Sequence, residues 1–90
     1  MKTREEIEKF LGEAAEEITL GQVSAKDVGP ETQLLVDLAL DSLDYATLML
    51  MCEHWLGGRV DESSVDWRGV ATVRQLSEIL YRSQSAANEL

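Results

Sequence analysis

Asp41-Ser42-Leu43-Asp44-Tyr45-Ala46-Thr47-Leu48-Met49-Leu50-Met51-Cys52-Glu53-His54-Trp55-Leu56-Gly57-Gly58 is the stretch that decides the fold. It opens on two residues that can each cap a helix and closes on two glycines, the common left-handed stop. Between them Leu43, Ala46, Met49, Leu50 and Trp55 keep a helical spacing, and apolar residues extend most of the way round. A helix of that kind is either central to a bundle or carries a second, exposed apolar surface.

Upstream, Thr3-Arg4-Glu5-Glu6 fits a capping box and leads into Ile7, Phe10, Leu11, Ala14 and Ile18 at spacings of three and four. This predicts an amphipathic first helix ending near Leu20-Gly21, where glycine can turn left-handed. From Gln22 to Asp41 the chain mixes the turn-formers Ser24, Asp27, Gly29 and Pro30 with Val28, Leu34, Leu35, Val36, Leu38 and Leu40. It reads as a long loop pinned onto the bundle by its leucines, and long loops in small domains are often functional.

Downstream, Asp61-Glu62-Ser63-Ser64 with Val65 and Trp67 predicts a short third helix. Thr72 and Gln75 repeat the capping-box spacing before Val73, Leu76, Ile79 and Leu80, one face of a last helix. The expectation is an all-α four-helix bundle over residues 1–82, with three main helices, a short third one, and a long loop between helices 1 and 2. Residues 83–90, Ser-Gln-Ser-Ala-Ala-Asn-Glu-Leu, read as a flexible tail.

Seventeen acidic against eight basic residues give a formal charge of -9. That repels a phosphate backbone or an anionic membrane and suits a basic partner surface. One cysteine, Cys52, excludes an internal disulfide, and with the single histidine, His54, it cannot make a Cys/His zinc site. The longest apolar run, Leu48 to Cys52, is far short of the about 20 residues that span a bilayer, and the N-terminal residues lack the apolar core of a signal peptide. A cytoplasmic monomer is expected. His54 has no companions for a catalytic triad and reads as a solvated helix residue. Asp37, Asp41 and Asp44 lack the spacing and glycine of a calcium loop; for Asp41 and Asp44 dipole complementarity at a helix start suffices. No metal site and no enzyme activity are expected.

Ser42 starts a helix after a long loop, among acids and without a base. On physical grounds alone it is an N-cap worth about 1 kcal/mol. A helix start also offers unpaired N–H groups that favour an attached phosphodiester.

The run Leu38-Ala39-Leu40-Asp41-Ser42-Leu43-Asp44 resembles the attachment motif of acyl carrier proteins, with Pro30-Glu31-Thr32, Leu34 and Asp37-Leu38 similar to the family's run-up. The layout agrees over roughly Ile7 to Leu80. The resemblance implies that Ser42 receives 4'-phosphopantetheine from coenzyme A through a phosphopantetheinyl transferase, with Asp41 and Leu43 flanking the arm. It also implies that partner enzymes such as a ketosynthase, an acyltransferase or a ligase read the second helix, through Asp44 and Glu53 and, on the thinned acidic face, through Leu43, Tyr45, Leu48 and Met51, burial in the core being an equal reading for Leu43, Tyr45 and Leu48. Met49, Met51 and Leu56 facing Val60, Val65 and Trp67 would shelter the cargo.

Two departures qualify the likeness. Ala39 stands where the family often has glycine, which is tolerable if its φ is negative. Thr47 and His54 stand where fatty-acid-synthesis members tend to have acids, leaving Glu53. The thinned acidic face favours a polyketide or other specialised pathway over housekeeping fatty-acid synthesis. The alternatives are a peptidyl or D-alanyl carrier and an unmodified helical interaction module.

Overall fold

A computed structural model of the chain describes residues 2–57 and 72–88. Among these lie α1 (Arg4–Ile18), α2 (Ser42–Leu56) and α3 (Val73–Asn88), with a single 3-10 turn over Ala25–Asp27. The described residues form no strand beyond an isolated bridge between Gln33 and Thr72. The all-α class expected from the sequence holds. The short third helix expected around 61–67, and with it Val60, Val65 and Trp67, lies outside the described residues.

The capping box foreseen at the start of α1 is present: the Glu6 N–H donates to Thr3 Oγ1 and the Thr3 N–H to Glu6 Oε1. Ile7, Leu11, Ala14 and Ala15 then bury one face. The helix stops at Ile18, a little before the expected Leu20-Gly21. Its end is closed by two crossing bonds, from Leu20 N–H to Glu17 O at 3.2 Å and from Gly21 N–H to Glu16 O at 2.8 Å. In that Schellman arrangement the left-handed position after the cap falls on Leu20, with φ 56°, as well as on Gly21.

The loop after α1 is pinned as expected, with Leu34, Leu38 and Leu40 in the same core as Tyr45, Leu48, Met49 and Cys52 of α2 and Val73, Leu76 and Leu80 of α3. Its 3-10 turn presses on α1 at Gly12, where a Cβ would stand 3.1 Å from Ala25 O, so the absence of a side chain permits the approach. The loop also supplies acceptors to α3: Val73 N–H donates to Thr32 O at 3.0 Å and Arg74 N–H to Pro30 O at 2.9 Å. Those donors have no partner within their own helix, so the loop completes α3 while α3 fixes the loop.

The capping box of Thr72 and Gln75 forms as foreseen. The helix it opens runs on to Asn88, through the segment expected to be a flexible tail from Ser83. Two side chains, one bonding within the helix and one across the fold, explain the difference. Ser83 Oγ donates to Ile79 O at 3.0 Å, and the Gln84 side-chain amide brackets the backbone of Lys2, accepting from its N–H at 3.0 Å and donating to its carbonyl.

At the same end, Phe10 and Trp55 stack with centroids 4.3 Å apart and rings 3° from parallel, and the Lys2 ammonium lies 4.8 Å from the Trp55 ring centre. Arg4 lies over Tyr81 and pairs with Glu78 at 2.8 Å. These contacts tie the first residues to the C-terminal halves of α2 and α3.

Candidate functional site

The loop reaches α2 through a buried–exposed–buried triplet: Leu38 and Leu40 enter the core and Ala39 faces solvent. Leu40 N–H donates to Leu34 O at 3.3 Å, which holds the triplet against the preceding turn. Ala39 has φ 54°, so the negative φ that would have made alanine easy at this position is absent. The backbone here adopts the left-handed conformation that glycine takes freely and alanine takes at a cost.

Asp41, with an extended backbone, is the N-cap of α2. Its Oδ1 accepts from Asp44 N–H at 2.8 Å, and Asp44 Oδ2 accepts from Asp41 N–H at 3.1 Å. Ser42 is therefore the first helical residue rather than the cap, which removes the cap reading of its hydroxyl. Ser42 is exposed, and its hydroxyl makes no hydrogen bond among the described residues. The N–H groups of Ser42 and Leu43 precede the first intrahelical bond, Tyr45 N–H to Asp41 O at 3.0 Å, and stay open at the positive end of the helix.

The expected partner-facing residues divide. Tyr45 and Leu48 are 4% and 2% exposed and line the core with Met49 and Cys52, so their side chains are not offered to a partner. Spacings of three and four put these residues on one inner face of α2. Burial pushes the Tyr45 phenol above its ordinary range. Asp44, Met51 and Glu53 are half-buried, Asp44 being held in the capping box. Leu43 is 76% exposed and Leu50 66%. Leu50 was not among the expected partner-facing residues, although its spacing of seven from Leu43 was a legible signal.

Asp37 does not join Asp41 and Asp44 in an ion site. Its Oδ2 accepts from Gln33 N–H at 2.8 Å and stabilises the turn, and no group of three potential ligands forms among the described residues. A groove of about 400 Å³ between α1 and the loop is lined by Glu8, Lys9, Glu13 and Lys26 among others, with no residue of α2. Cys52 is free and buried, its thiol pushed up to about 12 chiefly by burial.

Residues 2–80 match the family model described as a phosphopantetheine attachment site, and the chain belongs to that family. A search of curated proteins returned no match to the sequence. Members are carriers and not themselves catalysts; they bear a covalently attached 4'-phosphopantetheine, placed there by a phosphopantetheinyl transferase, and work with partner enzymes. An exposed, unengaged hydroxyl at the positive end of a helix, with two open N–H groups beside it, fits a phosphodiester in charge and in hydrogen-bonding capacity. No described helix is long and apolar enough to cross a membrane.

Proposed function

We propose that Ser42 is the attachment residue and that the chain is an acyl carrier of polyketide, other specialised or fatty-acid biosynthesis, with the first two favoured. The observation that supports the site most is the division of labour between neighbours: Asp41 and Asp44 cap each other, which leaves the Ser42 hydroxyl exposed and uncommitted. The want of carboxylates along the outer face of α2 supports the pathway reading.

In loading, Ser42 Oγ forms a bond to the phosphorus next to the pantetheine of coenzyme A. The pyrophosphate P–O bond breaks, the adenosine part leaves with its remaining phosphates, and the hydroxyl proton passes to a base of the transferase. Among the described residues neighbouring Ser42 no such base is free, since Asp41 and Asp44 are engaged in capping and His54 lies at the other end of α2. Once attached, the group supplies a flexible thiol that holds cargo as a thioester. The chain's own part is to fix the attachment point on a rigid helix, and the open N–H groups of Ser42 and Leu43 can orient the phosphate.

The test is intact mass after incubation with coenzyme A, magnesium and a broad-specificity transferase, for wild type and Ser42→Ala. Wild type should gain one phosphopantetheinyl group and the variant none. A folded wild type that stays unmodified, beside a control carrier that is loaded, would move the assignment to an interaction module.

A further inference from the structure

We propose that Asp37 is a positioning residue for the loading of Ser42: its carboxylate closes the turn of residues 33–38, and the closed turn sets the backbone from which the serine enters α2. The proposal rests on the carrier reading and adds to it a residue that makes no bond to the serine hydroxyl. Asp37 acts on the turn through side chain and backbone together. Its Oδ2 accepts from Gln33 N–H at 2.8 Å, while its own N–H and that of Leu38 donate to Gln33 O at 2.9 and 3.2 Å. Both polar groups of the Gln33 backbone are thereby held by the far end of the same turn.

The turn is anchored on two sides. Toward α3, Gln33 stands opposite Thr72 in the isolated bridge, and Val73 N–H donates to Thr32 O at 3.0 Å. Toward α2, Leu34 and Leu38 are in the core, and Leu34 O accepts from Leu40 N–H at 3.3 Å. A continuous run of bonds thus leads from the start of α3 through Gln33 and its turn to Leu40, which Asp41 and Ser42 follow directly. The exposed Asp37 carboxylate is a link that substitution can remove while the backbone and the buried leucines keep their identities.

Loading requires the serine oxygen to line up with the P–O bond that breaks, and a misplacement of about 1 Å can cost about a hundredfold in rate. The capping box holds Ser42 to α2 but does not hold the first turn of α2 to the chain before it. That stretch contains Ala39, whose left-handed φ of 54° persists because its surroundings impose it. With the turn at Asp37 open, Ala39 is free to relax toward the ordinary region, and Leu40, Asp41 and Ser42 move with it.

The probe is the broad-specificity phosphopantetheinyl transferase with coenzyme A and magnesium, with kcat and KM measured for the apo chain. Asp37→Ala should lower kcat about tenfold and leave KM within about twofold, since Ser42 is misplaced while the rest of the surface is kept. Asp37→Asn should restore kcat to within about twofold of wild type, because its amide oxygen can accept from Gln33 N–H without the charge. Thr3→Ala removes a cap from the start of α1 and should leave both constants as in wild type, which separates positioning from general loss of stability. In nuclear magnetic resonance spectra the amide signals of Ser42 and Leu43 should broaden in Asp37→Ala and stay sharp in the other two variants.

A folded Asp37→Ala that loads like wild type would overturn the positioning role and leave the carrier reading intact. A loss in Asp37→Asn as deep as in Asp37→Ala would also overturn it, and a raised KM there would make Asp37 a charge read by the transferase. An equal fall in Thr3→Ala would reduce the effect to stability and overturn the proposal as well. Should Asp37→Ala not fold, Asp37→Glu takes its place: its carboxylate sits one methylene further out, kcat should fall about threefold, and wild-type kcat would overturn the role. A wild type that is not loaded at all would overturn both readings.

Discussion

The Ser42 hydroxyl has no hydrogen-bond partner among the described residues, whereas Ala39, three positions before it, is held in the left-handed region with φ 54°. The two positions therefore answer differently to substitution. Ser42→Ala should abolish loading yet change unfolding free energy by no more than about 0.5 kcal/mol, as is usual for an exposed position outside any cap or network. Urea denaturation beside the mass measurement checks both; a loss above about 1 kcal/mol would mean that the hydroxyl is structural. Ala39→Gly should instead stabilise by up to about 1 kcal/mol, because relief of a left-handed alanine outweighs the added freedom of the unfolded chain. A lower urea midpoint for that variant would show that the Ala39 methyl contributes more than its backbone costs. Nothing in the local pattern of residue types announces this φ. It is set where the loop, with Leu38 and Leu40 in the core, turns into α2.

At the scale of the element, the ends of helices were far more legible than their rotation. Thr3 with Glu6, Asp41 with Asp44, and Thr72 with Gln75 all form reciprocal caps, and Gly57 closes α2 with φ 76°. Capping depends on residues three apart in the chain, so sequence carries it almost whole. Asp41→Ala should therefore cost about 1 kcal/mol, read as a lower urea midpoint, and should leave Asp44 without its reciprocal partner. An unchanged midpoint would show that the box is replaceable by water.

Rotation of α2 was harder to read because apolar residues lie on every side of it. For Tyr45 and Leu48 the sequence left partner contact and burial both open, and they are in the core; Leu43 and Leu50 are the outward leucines. Only packing against α1 and the leucines of the loop breaks that tie, and those contacts are distant in sequence. The end of α3 was misread for a similar reason. Gln84 finds its partner at Lys2, across almost the whole chain.

For the molecule as a whole, the buried ionisable groups lower stability at alkaline pH. Cys52 has its thiol raised from an ordinary 9.0 to about 12, so an unfolded chain gives up that proton before the folded one does. Stability from this source is complete below about pH 9 and is lost as pH rises toward about 12, at a slope near 1.4 kcal/mol per pH unit. The Tyr45 phenol, also raised by burial, adds to the loss above its ordinary value of 10.0. Urea midpoints near pH 7, 9 and 10 should fall for wild type across the upper interval. Cys52→Ala should start lower by about 1–2 kcal/mol, from the space it leaves, and fall less steeply. Parallel slopes would exclude the thiol as the source.

The Gln84 clasp on Lys2 brings the start of the described chain against α3, near the Trp55 ring. Ser42 lies at the other end of α2, thirteen residues or about 20 Å away along the axis. A tether or support attached ahead of Lys2 therefore starts from the side remote from the serine. The molecule is built like a lamp on a stand: it can be mounted by that side with its working end still free to swing toward an enzyme.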